Sequence, residues 1–460
     1  MSTTLKATPG ATRQERIESE VASLVRLVLA ELPAQCEPVS VLWHGSFARG
    51  ESGLYRYRDR WLPFGDYDFE VICRRLPGRQ TLRRVEHAVL EGFGYRPVSA
   101  PLEETLSEEA DTFNVLDLKF STPEGFLGRH PDLSTYDLLH ASRVLYGQDL
   151  RPQVQLELEQ VPLFSAYRIL FNRLFHLLSL FRVDLWEAER ELTHQEKVAF
   201  SLAICRIWLD FGTALSLCLG VYAPDSATRL ENLAREGERL TGWFKDWQGL
   251  LEGIRVALQF KREPRPERLD TAAIRRGYFL ALESWDRVMR VLQGQLMPYY
   301  FGRAGDLEKV DYWNQAAEIC RRELPRRYYR DYLREMLAKT GRKSSERRLN
   351  LLAYAANAYE NYGFMGLPFL LMHPKQSLVS PEILYFACVP LLAFSITPLG
   401  KVHYGMLNQV LTLVSPYRRS RITLTGKEDW QKVKNLCVEL FSAYRAKKPE
   451  IRRLPKWLTK

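Results

Sequence analysis

Apolar residues at Ile17, Val21, Leu24, Val25, Val28 and Leu29 recur every three or four positions, which predicts an amphipathic helix opened by a capping box of Thr12 and Glu15. The period then shortens. Val39 to Trp43 is a short β-rich run, and His44-Gly45-Ser46 with the small, polar stretch Phe47 to Ser52 reads as a tight turn entering a helix. Tyr67 to Cys73 is a second strand, Arg83 to Glu91 a helix ended by Gly92 and Gly94, and Phe113 to Phe120 a third strand. Strands alternating with helices predict an α/β domain.

After Gly147-Gln148-Asp149-Leu150 the pattern becomes helical, with long apolar periodicities at Phe164 to Phe181, Glu196 to Leu219 and Tyr278 to Leu292. Glu263-Pro264-Arg265-Pro266-Glu267 breaks it, since two prolines cannot sit inside a helix. The expected domains are 1–160 with the sheet, 161–300 helical and 301–460 a further helical region. No repeat of solenoid period is present. Ile383 to Leu399 carries no charge and is almost long enough to span a bilayer, but Pro390 interrupts it and no basic flank precedes it, so a buried helix is expected and no stable membrane insertion.

With 46% hydrophobic and 26% charged residues, the 460-residue chain has the composition of a folded protein and not of a disordered one. Its net charge of +10 favours phosphate-bearing partners without choosing among them. Seven scattered cysteines, none in a CxxC pair, fit a reducing compartment. Residues Met1 to Thr12 lack the apolar stretch of a secretory signal, so the expected location is cytoplasmic.

The chemistry concentrates in the first strands. Asp66 and Asp68 lie two apart and so face one way from an extended chain, and Asp117, between Leu116 and Leu118, adds a third carboxylate from a neighbouring strand. Such acids repel one another unless a cation sits among them, which favours two Mg²⁺ ions, or Mn²⁺. Three carboxylates holding two ions suit in-line phosphoryl transfer, with no protein nucleophile required. Gly45 would let the backbone approach a phosphate, Ser46 adds a hydroxyl, and the helix behind them offers free N–H groups.

These residues resemble the DNA polymerase β-like nucleotidyltransferase superfamily, whose signature is an apolar residue, Gly-Ser, a spacer and Asp-x-Asp. Here it reads Trp43-His44-Gly45-Ser46, then Asp66-Tyr67-Asp68-Phe69-Glu70-Val71, and Leu145-Tyr146-Gly147-Gln148-Asp149-Leu150 is similar to the segment that often closes that domain. The likeness covers the first 150 residues or so. It implies an α/β (α+β) nucleotidyltransferase domain with a mixed sheet, followed by a large all-α region that binds substrate. It implies ATP or another NTP as donor, catalytic and metal-binding roles for Asp66, Asp68 and Asp117, and phosphate binding by Gly45 and Ser46, with Arg49, Arg173 and Lys197 as further nucleotide contacts. The chain departs in its long spacer, where Leu54 to Trp61 interleaves aromatic and basic residues, and acceptor choice is expected there.

Each feature has a plainer reading. The aspartates would otherwise be strand-end acids in salt bridges, and Ser46 an ordinary N-cap. Arg49 would pair with Glu51, Arg173 and Lys197 would be ion-paired helix positions, and His44 would be packing. Glu70 and Lys119 are expected to pair with each other beneath the site. Tyr55 to Trp61 stacks bases or sugars, or is a surface hairpin burying its own rings. Arg321 to Arg348, with eleven basic against four acidic residues, and Arg445 to Lys460, with seven against one, are by default solvated faces. The expected reaction moves a nucleoside monophosphate to a small-molecule or protein hydroxyl. An RNA-end transferase and a non-catalytic nucleotide-binding subunit are the alternatives, whereas zinc sites and Ser/His/Asp hydrolases have no supporting spacing.

Overall fold

The computed structural model describes residues 12–58, 60–92, 115–182, 191–296, 312–322, 381–397, 401–414, 424 and 428–447. The chain forms two compact units, one of Met1–Arg173 with Glu189–Trp285, the other of Leu174–Ala188 with Asp286–Lys460. The predicted strand residues Phe113 and Asn114, the glycine at 94 and nearly all of both basic segments lie outside the described residues.

In the first unit, helix α1 (Arg13–Glu31) starts at the predicted capping box, with Thr12 Oγ1 accepting from the Glu15 amide at 3.2 Å and Glu15 accepting from the Thr12 amide at 2.7 Å. Strands β1 (Pro38–His44), β4 (Tyr67–Cys73), β5 (Leu116–Ser121) and β6 (Arg143–Gly147) form one sheet in the order β5-β4-β1-β6. β4 runs parallel to β5 and antiparallel to β1, and β1 is antiparallel to β6, so the sheet is mixed. β2 (Leu54–Tyr57) and β3 (Arg60–Pro63) make a separate hairpin between the two halves of the glycine–aspartate signature.

Both faces of the sheet are covered, which is why β1 and β4 read as nearly continuous apolar runs. On one face Leu42 and Ile72 join Phe126, Leu138, Leu139, Leu150 and Leu156 in a core built on α4 (Pro123–Leu127) and α5 (Leu133–Ala141). On the other, Tyr67 donates to Glu20 of α1 at 2.7 Å, and α1 packs against α3 (Arg79–Gly92). Each fully buried large side chain contributes roughly 1.5–3 kcal/mol of transfer free energy.

The rest of the first unit is helical: α6 (Phe164–Leu180) as far as Arg173, α7 (His194–Leu219), α8 (Ser226–Arg235), α9 (Gly237–Trp243), α10 (Trp247–Arg262) and α11 (Thr271–Val291) as far as Trp285. α7 begins in a second capping box, Thr193 with Glu196, and ends at Gly220 in the left-handed conformation, φ 73°. It packs along α8 and α10. It is the one helix among the described residues long and apolar enough to cross a membrane, and 78% of its apolar window is buried inside the protein.

The second unit contains α12 (Tyr312–Arg322), α13 (Pro381–Phe394), α14 (Tyr404–Val414) and α15 (Glu428–Lys447). The uncharged window around Pro390 is α13, buried from Phe386 to Ala393. Trp430 donates to the Leu392 carbonyl at 3.1 Å, and the fully buried Lys434 donates to the carbonyls of Ser179 at 3.3 Å and Phe181 at 3.1 Å, satisfying the last turn of α6.

Candidate active site

The predicted signature converges at one end of the α4/α5 face of the sheet. β1 ends at His44, which is opposite Asp68 on β4, and Asp68 is the register partner of Asp117 on β5. The chain then turns through α2 (Gly45–Ala48), with Gly45 at φ +76°. A Cβ added at Gly45 would fall 2.0 Å from Asp68 Oδ2, so the bend lies directly against that carboxylate. α2 is a single turn of four residues, too short to add much of a helix dipole. It offers backbone N–H groups and the space left by the missing side chain. Gly45→Ala should therefore displace Asp68 and strain the backbone, costing about 1–2 kcal/mol from the left-handed conformation alone. Thermal denaturation measures that loss, and a variant as stable as the parent would remove the steric argument.

The three aspartates differ sharply in partners. Asp66 is ion-paired with Arg206 of α7, and Asp117 pairs with Lys119 at 2.8 Å, whereas Asp68 makes no hydrogen bond or ion pair with any described residue. Burial and then the neighbouring Asp66 push the Asp68 carboxyl up to about 7, with Asp117 adding to the effect and Lys119 opposing it. Burial also acts to raise Asp66, but Arg206 prevails and holds it below the usual carboxylate range. Among the described residues no three carboxylate, imidazole or thiol groups form a ready-made metal cage. The donor set still suits a divalent cation, because a half-buried carboxyl without a cationic partner, beside two other carboxylates, has its charged form opposed, and a cation among them would favour that form.

The chain matches no family model, no curated protein and no solved structure.

One step deeper on the same sheet face, Glu70 and Lys119 are register partners but do not pair as expected. Glu70 is fully buried, accepts from Ser121 Oγ at 2.6 Å and is ion-paired with Arg129, while Lys119 leans two residues back along its own strand to Asp117. Arg129, delivered just after α4, reaches the buried acid and frees the lysine for the strand end. His44 Nε2 is buried without a hydrogen-bond partner, and burial together with Lys119 and Arg129 brings the imidazole down to about 3, so it stays neutral.

Arg49 belongs to a buried network. It pairs with Glu51 at 3.0 Å and approaches Asp137 at 3.8 Å. Glu51 also accepts from the Ser226 amide at 2.5 Å and faces Arg229 at 3.9 Å, and Asp137 accepts from Tyr222 at 2.5 Å. These contacts fasten the turn after Ser46 to the start of α8. Arg173 is paired with Asp210 of α7, and Lys197 lies 3.7 Å from Glu191. Both are engaged with protein acids, as in the plainer reading of each.

Sequence reasoning passed over Arg206 and Lys261. From Val198 to Leu219, Arg206 and Asp210 are the only charged residues, and they stand one turn apart on one face of a mostly apolar helix. Lys261 occupies the next position of the apolar stripe Leu250, Ile254, Leu258 on α10. A charge on a buried stripe was the available signal. Lys261 is 5% exposed, and its ammonium makes no hydrogen bond or ion pair with any described residue. Burial and the nearby Arg206 bring its ammonium down to about 8, with Glu51 opposing.

A stability prediction follows for Lys261. The folded protein releases this proton at about 8 and the unfolded chain near the ordinary 10.5, so between those values the unfolded state binds more protons and stability rises with pH. Below 8 the cost of the buried charge is constant, on the order of 3 kcal/mol. Lys261→Met should then be the more stable protein at pH 7 and lose its advantage by pH 10.5. Urea denaturation of both proteins at the two pH values tests this, and a methionine variant less stable at pH 7 would show that the ammonium is well satisfied.

Proposed function

We propose that the first unit is a metal-dependent nucleotidyltransferase of the DNA polymerase β-like type, moving a nucleoside monophosphate, AMP from ATP in the simplest case, onto a small-molecule or protein hydroxyl with release of pyrophosphate. The observation that carries this reading is Asp68, half-buried and unpaired among the described residues, beside Asp66 and Asp117 and seated against the Gly45 bend. In this reading Asp66 and Asp68 hold both Mg²⁺ ions and Asp117 holds the one nearer the acceptor. When bound, such ions supply an activated acceptor oxygen and neutralise charge on the leaving pyrophosphate.

The protein's own groups do the rest. Gly45 and Ser46 present backbone N–H groups to the phosphates from a bend with no side chain in the way. Arg206 and Lys261, cationic and mostly withdrawn from water, favour the anionic triphosphate and the charge that develops on its leaving end. The buried Arg49–Glu51–Arg229 network keeps the bend and α8 in fixed relation, so the donors are positioned before substrate arrives.

The test uses ATP labelled at the α-phosphate, Mg²⁺ and a cell lysate as the source of acceptors. Compared with lysate lacking the protein, α-label should appear on a further discrete species, whereas ATP labelled at the γ-phosphate should give no species that depends on the protein. Protein-dependent transfer of γ-label would make it a kinase and end this reading. The Asp66–Arg206 and Asp117–Lys119 pairs favour a second reading, a nucleotide-binding subunit without turnover, because protein cations already satisfy two of the three acids. Thermal stabilisation by Mg²⁺ and ATP with no labelled product would favour that one.

A further inference from the structure

Four charges line up along one path: Asp66 before β4, Arg206 and Asp210 one turn apart on α7, and Arg173 on α6. Arg173 occupies Asp210. The acid one turn along its own helix is thus taken, and Arg206 makes its ion pair with Asp66 instead. Lys261 adds like charge beside Arg206, which further disfavours any arrangement that leaves the guanidinium without an anion. Side-chain exposures of 24% for Arg206 and 26% for Asp66 mean that this pair is poorly screened by solvent. The guanidinium therefore supplies to Asp66 the positive charge that the nucleotidyltransferase reading assigns to a metal ion.

Resting on that reading, we infer that Arg206 is the resident counter-ion of the cation site: it holds Asp66 in the metal-free protein and must release that carboxylate before a divalent cation can be held there. Free cation is consequently bound weakly. A cation that arrives with a nucleotide fares better, because the nucleotide's phosphates give the released guanidinium another anion. The site thereby discriminates between a bare divalent ion and a metal–nucleotide complex.

The experiment is titration with Mn²⁺ alone, following the signal of the free ion by electron paramagnetic resonance, for the full chain and for Arg206→Gln, Arg206→Lys, Lys261→Gln and Asp66→Asn. Arg206→Gln should bind Mn²⁺ about tenfold more tightly than the parent, the worth of one partly buried charge-assisted hydrogen bond. Arg206→Lys, which keeps the charge but loses the fork, should fall between the two and serves if the glutamine variant does not fold. Lys261→Gln removes an equal charge without an ion pair and should shift affinity much less. Equal shifts for Arg206→Gln and Lys261→Gln would mean that only general charge matters and would overturn the inference, as would an unchanged affinity in Arg206→Gln. Those outcomes leave the nucleotidyltransferase reading in place, provided that the parent binds Mn²⁺ and Asp66→Asn does not. No Mn²⁺ binding by any of the proteins would overturn both.

Discussion

Asp68→Asn should abolish nucleotide transfer while leaving the protein folded. Asparagine keeps the shape and removes the charge, so the side chain still fills the space beside Gly45. Bound metal supplies several kcal/mol of transition-state charge stabilisation, and losing its central ligand is expected to slow transfer at least ~10³-fold. Stability should move the other way. Asp68 is crowded by Asp66 and Asp117 in the absence of metal, so a neutral side chain relieves repulsion and the variant should melt no lower than the parent. A variant that is inactive because it is unfolded would fail this description, and one that retains transfer would remove Asp68 from the site.

The second large effect belongs to Glu51. Its side chain is 2% exposed, is wedged between Arg49 and Arg229, and caps the start of α8 through the Ser226 amide. Glu51→Ala leaves two guanidinium groups buried with less counter-charge and one amide without an acceptor, which should cost about 3–5 kcal/mol. The acid limb of the stability curve carries the same information. Burial would raise this carboxyl, but Arg49 and Arg229 prevail and bring it down to about 2, against 4.5 when unperturbed. The contribution is thus complete above pH 4.5 and is lost as pH falls towards 2. Glu51→Gln, which keeps a hydrogen-bond acceptor, should lose less at pH 7 than Glu51→Ala, and its deficit should shrink in acid. Equal melting temperatures for parent and Glu51→Ala at pH 7 would show that the network contributes nothing net.

What the sequence disclosed was whatever depends on neighbours along the chain. α1 was legible from its capping box and apolar spacing, α7 from apolar spacing, and β1 and β4 from β-rich runs that adjoin the signature residues. The coming together of Asp68 and Asp117 was legible too, because strand alternation dictates which side chains share a face once two strands pair. Partner choice was not. Glu70 takes Arg129 and Lys119 takes Asp117 because a loop after α4 delivers a guanidinium that no periodicity announces. Arg206 and Lys261 lie some 140 and 195 residues beyond Asp66, and only packing brings α7 and α10 back to it. Their one local trace was a charge standing where a buried apolar residue belongs. The long spacer resolves into a hairpin whose rings are held by other elements and not by one another, Tyr57 stacking on His194 at 3.8 Å and Trp61 lying under Arg13 and Arg16.

That hairpin is cinched at its base. The Phe64 amide donates to the Gly53 carbonyl at 2.9 Å, Ser52 Oγ donates to the Phe64 carbonyl at 2.9 Å, and the Gly53 amide is anchored on the Lys261 carbonyl of α10 at 3.0 Å. The neck therefore fixes where the chain re-enters at Asp66, whatever the ribbon beyond it does. Lengthening the ribbon's connection would cost little, since closing a longer flexible loop adds only about 0.6 kcal/mol per doubling of its length. The edge of the fold at this ribbon can thus be remodelled while the aspartates beyond its neck stay where they are.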